Sequence, residues 1–100
     1  MIVIMINIQK EVAVKIGRGL LQERLIACYN LIPVESAFWW KGKIESYGET
    51  LMFLKTKDKN FAKISSYIKK HSDYDVPEVI ALKPKQVNQP YLDWVNTEVK

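Results

Sequence analysis

The 100-residue chain has one cysteine (Cys28), one histidine (His71) and two arginines (Arg18 and Arg24). A single cysteine rules out an internal disulfide framework and a Cys-x-x-Cys zinc finger, and it fits a reducing compartment. One Cys and one His per chain also cannot close a four-ligand metal site. The net charge of +4 rests mostly on lysine, scattered except for some density between Lys55 and Lys70. Nucleic-acid binders gather basic residues on one face and favour arginine forks, so these lysines read as a solubilising surface. No apolar run approaches the roughly 20 residues of a membrane helix. Met1–Ile8 is apolar but short and has no basic leader, so it reads as neither signal peptide nor membrane span. A cytoplasmic protein is the expectation. Ser-His-Asp sets, phosphate-cradling glycine loops and metallohydrolase motifs are all missing, so an enzyme is not expected. There are no internal repeats and no low-complexity segments.

What is present is a core-forming composition, 48% hydrophobic and 26% charged. Residues 1–100 read as one domain. A domain this small buries a limited fraction of its surface, so oligomerisation would help it.

The chain is organised around Cys28–Thr56. Strand formers run up to Trp39 and Trp40, and Lys41-Gly42-Lys43 marks a hairpin turn in which Gly42 takes a positive φ at no steric cost. The returning arm ends in Leu51-Met52-Phe53-Leu54, apolar on both alternating faces. Pro33 is expected at a bulge or strand break, and Glu45–Glu49, with Gly48, at a second bend.

Before the hairpin, residues 2–8 form a β-branched strand without the aromatics that RNA-binding sheets of this kind use. Residues 10–26 switch to helical period, with Val12, Ile16 and Leu20 on one stripe. Gly17 and Gly19 interrupt that helix, by close approach to the sheet or by drift. After the hairpin, Asp58 is expected to cap a helix over 59–71 with Phe61, Ile64 and Ile68 buried. Residues 76–82 form a fourth strand with Pro77 near its start. Pro90 suits the first turn of a last helix, 90–98.

The order β-α-β-β-α-β plus a terminal helix is the pattern of an α+β, ferredoxin-like sandwich on an antiparallel sheet. Its helices cover one sheet face. Residues 2–8, 51–54 and 79–82 are apolar at odd and even positions alike, so the other face is expected to pack on a sheet from identical chains.

Several blocks carry a family resemblance: Ala27-Cys28-Tyr29-Asn30-Leu31-Ile32-Pro33, Trp40-Lys41-Gly42-Lys43-Ile44-Glu45, Glu49, Leu54-Lys55-Thr56, His71, Tyr74, Val76-Pro77-Glu78 and Tyr91-Leu92-Asp93-Trp94. In order and nearly end to end, they resemble the CutA divalent-cation tolerance proteins. The resemblance implies a ferredoxin-like homotrimer with sheets packed inward, associated with tolerance to copper and other divalent cations. The same trimer resembles nitrogen-regulatory signalling proteins that bind small effectors between subunits. Two departures stand out. Met5-Ile6 and Ile8-Gln9 occupy places where the family has a Thr-Thr pair and a Pro-Asp-like helix start. One extra residue separates His71 from Tyr74 compared with the family's His-x-Tyr-x-x-Pro spacing.

Two chemistries are open. Cys28 as a thiolate and His71 through its imidazole are the candidate ligands for copper or another divalent cation. The plainer reading makes Cys28 a buried strand cysteine and His71 a cation at a helix C-terminus. Asp73, Asp75, Glu45 and Glu49 offer hard oxygens or a solvated surface. The alternative function is an effector-binding signalling trimer. Trp40, Glu49, Lys55, Tyr74, Glu78 and Trp94 are then the cleft or motif positions, with Lys55, Tyr74 and Glu78 around an anionic small molecule. Phe38, Trp39 and Trp40 mark either a ligand surface or a subunit boundary.

Overall fold

The computed structural model describes residues 1–100. Its elements are β1 (Ile2–Ile8), α1 (Lys10–Gln22), β2 (Cys28–Trp40), β3 (Lys43–Thr56), α2 (Phe61–His71), β4 (Ile80–Leu82) and α3 (Gln89–Glu98), with a 3-10 turn at Asp58–Asn60 before α2. The sheet order is β2-β3-β1-β4 and every neighbouring pair is antiparallel. This is the α+β, ferredoxin-like arrangement that the sequence predicts. β1 alternates between fully and partly buried positions along its whole length. Ile2, Ile4, Ile6 and Ile8 join Met52, Leu54, Ala13, Ile16, Leu20, Ile64 and Ile68 in the core between sheet and helices.

The opposite sheet face is open. The register places Leu82 beside Val3, Met5 between Ile80 and Phe53, and Leu51 between Asn7 and Ile32. Val3, Met5, Leu51 and Phe53 are half-buried. Ile32, Ile80 and Leu82 are exposed at 45%, 42% and 44%. α3 occupies one end of the molecule, where Val95 and Val99 pack with Ala27, Met1 and Tyr91.

The helix predicted over 10–26 stops at Gln22. Arg24 takes φ 59°, and the Leu25 amide donates to the Leu20 carbonyl at 3.0 Å. That six-residue closure is a Schellman motif, and it turns Leu25 into the core. Pro33 marks no break: it pairs with Thr50 in an unbroken ladder. β2 is an edge strand, where a missing N–H costs the ladder little. Nor does Glu45–Glu49 bend, since β3 runs continuously through it. Asp58 does not cap α2. Its carboxylate takes the Lys83 ammonium at 2.9 Å and lies 3.5 Å from the Met1 amino group. β4 begins at Ile80 rather than 76, which leaves Pro77 in the loop ahead of it.

The hairpin turn has positive φ at both central residues, Lys41 at 50° and Gly42 at 79°. Those signs match the twist of a two-residue hairpin. Beyond the last β1 pair, Ile8–Thr50, the ladder runs on from Val34–Glu49 to Trp40–Lys43. This two-stranded arm projects about 20 Å at the usual rise per strand residue.

Candidate functional site

The Asp73–Glu78 segment leaves α2 and lies along the projecting arm. Two cavities open between them. One, about 410 Å³, is lined by Phe38, Trp39, Trp40, Tyr47, Asp73, Tyr74, Asp75 and Val76. The other, about 440 Å³, is lined by Asn7, Glu35, Ser36, Ala37, Phe38, Glu49, Tyr74, Val76 and Glu78. Phe38, Tyr74 and Val76 belong to both walls, so the two form one cleft.

Tyr74 links the segment to the arm. Its hydroxyl donates to the Glu49 carboxylate at 2.5 Å. Burial, and then this bond to the carboxylate, push the phenol well above its ordinary range, so Tyr74 remains a donor. Glu78 stands near Glu49. Burial and then the Glu49 charge raise its carboxyl above the usual carboxylate range. Asn7 reaches the same cleft from the end of β1 and donates from Nδ2 to Ser36 Oγ at 3.0 Å. Its Oδ1 is out of solvent and has no partner. In the aromatic part, Phe38 and Tyr47 meet edge to face at 5.4 Å. The Lys41 ammonium lies 5.8 Å from the centre of a Trp40 ring.

Of the positions singled out from sequence, Glu49, Tyr74 and Glu78 come together here, with Trp40 beside them. Lys55 does not line this cleft. It sits six residues along β3 from Glu49, about 20 Å away at the usual rise, and donates to Asn30 Oδ1. Cys28, opposite Lys55 in the ladder, lies 3.4 Å from the Tyr91 hydroxyl. Burial and then Cys28 push the Tyr91 phenol up to about 12. Trp94 stacks obliquely on Tyr91 with ring centres 5.6 Å apart. His71 closes α2: its Nδ1 is 2.8 Å from the Tyr67 carbonyl, and its ring stacks on Tyr67. Cys28 and His71 thus have separate neighbours within one chain. No three His, Cys, Asp or Glu side chains converge on a point that could hold a metal ion. A single copy offers no closed metal site.

Asn7, Ser36 and Tyr47 line the cleft without belonging to any motif of the sequence. Asn7 alone gave a signal, as the one polar residue in the Ile2–Ile8 run.

A family model, CutA1 divalent ion tolerance protein, matches residues 1–98. This chain belongs to that family. It is 41% identical over 90 residues to the divalent-cation tolerance protein CutA of Pyrococcus horikoshii, covering 90% of this chain and 88% of that protein. It is 44% identical over 87 residues to human protein CutA, covering 86% of this chain and 49% of the human protein. The chain spans about half the length of its rice, mouse and human CutA relatives. Among solved structures, a CutA from Archaeoglobus fulgidus, described as a periplasmic divalent cation tolerance protein, superposes with a TM-score of 0.96 at 34% identity over 100% of both chains. A CutA from a Nostoc species, described as a PII-like protein, superposes at 0.93 with 27% identity, covering 100% of this chain and 98% of that one. No helix in this CutA1-family chain is long and apolar enough to cross a membrane.

Proposed function

We propose that this protein serves divalent-cation tolerance as a cytoplasmic homotrimer that binds copper or another divalent cation and catalyses no reaction. The observation that carries the assembly is the open sheet face. Val3, Met5, Leu51, Phe53, Ile32, Ile80 and Leu82 form a continuous apolar field, which a soluble monomer would leave in water. The two-stranded arm argues the same way, because an isolated ribbon is marginal in water. Trp39 and Ile44 on it are 72% and 65% exposed. Family membership supports the cation role. One chain has no closed site, so the cation takes ligands from more than one copy, with Cys28 and His71 as the donors. Copper titration by calorimetry tests this: Cys28→Ser should weaken copper binding, and a variant with full copper affinity refutes the thiolate ligand.

The second reading is an effector-binding trimer. It is favoured by the Tyr74–Glu49 bond inside a preformed cleft and by the likeness to the PII-like Nostoc relative. An anionic effector held by Tyr74 and Lys55 would need the Lys55 of another copy.

A further inference from the structure

The two cavities beside the arm share one electrostatic character. The charged side chains lining them are Glu35, Glu49, Asp73, Asp75 and Glu78, and no Lys, Arg or His contributes to either wall. This acidic cleft belongs to a chain whose net charge is +4, so its negative sign is a local arrangement. The hydrogen-bonding groups lean the same way. Tyr74 has spent its hydroxyl proton on Glu49. Asn7 gives one of its two amide protons to Ser36, and its Oδ1 is an acceptor without a donor. Two carboxylates and an orphaned amide oxygen call for a ligand that brings protons and positive charge.

The rest of the cleft suits such a ligand. Phe38, Trp40 and Tyr47 present aromatic rings beside the acids. Ring faces attract ammonium groups through their quadrupole, more strongly when water is excluded. Trp40 already does this for the Lys41 ammonium. Each cavity falls in the size range of small-molecule sites, about 300–1,000 Å³.

We propose that this cleft binds a small organic cation of the alkylammonium class, with its charge among Glu49, Glu78 and Asn7 and its carbon skeleton on Phe38, Trp40 and Tyr47. The inference reverses the sign of ligand expected from the nitrogen-regulatory analogy. The cleft's lining residues belong to one chain, and its ligand contacts need no copper. Ionised Glu49 and Glu78 repel each other across the cleft, and a bound ammonium relieves that repulsion.

Calorimetric titration at low salt tests it, using putrescine dihydrochloride and tetramethylammonium chloride against disodium succinate. At least one ammonium probe should bind, and succinate should not. Glu49→Gln and Glu78→Gln should each weaken the ammonium probe about tenfold, as expected for losing one charged hydrogen bond. If those variants fail to fold, the Asp73→Asn/Asp75→Asn double variant, on an exposed loop, should show the same direction of change. Parallel native mass spectra keep the result separate from assembly. The proposal is overturned if neither ammonium probe binds, if succinate binds instead, or if the folded carboxamide variants bind as tightly as the parent.

Discussion

At the residue scale, the Glu49–Tyr74–Glu78 group shows how burial converts surface acids into a site. Glu78 is harder to ionise in the fold than in the unfolded chain, because it is partly desolvated near Glu49. A raised carboxyl stabilises fully below its unfolded value, and that stability is lost as pH rises through the folded value. Glu78→Gln should therefore match or exceed the parent in urea stability at neutral pH, and the difference should narrow as the pH falls to about 4. A variant markedly weaker than the parent at neutral pH would show that the ionised carboxylate is structurally needed. The tyrosine and both acids were legible as motif positions. Their meeting was not, because it depends on where the Asp73–Glu78 segment crosses the arm, a contact between residues about 25 apart in sequence. Asn7 was the hardest to read. Its amide matters through Ser36, 29 residues away, and nothing local to β1 announces that pairing.

At the element scale, α1 owes its close seat on the sheet to Gly17. A Cβ there would lie 2.6 Å from the Tyr29 ring and 2.9 Å from Met52 Cε, so close approach, not drift, explains this glycine. Gly17→Ala should destabilise by about 1–3 kcal/mol, the usual cost of overpacking a filled interface. Thermal or urea unfolding checks this, and a neutral substitution would mean that α1 can lift without loss. Gly19 faces the Tyr67 hydroxyl, the end of a side chain that can swing aside, so its substitution should cost less. Strands and helices were legible from their periods, and the hairpin from its turn. The errors lay where context overrides composition. Pro33 stays in β2 because β2 is an edge strand. Arg24 rather than glycine ends α1, because Leu25 is drawn into the core. Asp58 meets Lys83 and the amino terminus instead of capping α2. Such choices rest on partners distant in sequence.

At the scale of the whole molecule, the apolar pattern on both strand faces was the clearest message of the sequence, and one copy answers half of it. The helices bury Ile4, Ile6, Met52 and Leu54, while Val3, Met5, Leu51 and Phe53 keep an uncovered side. Phe53 stands mid-face between Met5 and Asn30. Phe53→Glu should leave the single-chain fold intact by circular dichroism and break the assembly, because an unpaired charge cannot be buried between sheets without a large penalty. Persistence of the full assembly in that variant would place the interface elsewhere.

The most direct test of the central claim is a native mass spectrum of the untagged protein purified without chelators. The predicted result is the mass of three chains, with added copper or zinc if the cation reading is also right. A stable monomer at micromolar concentration would contradict the claim that the open sheet face is covered by copies of the same chain.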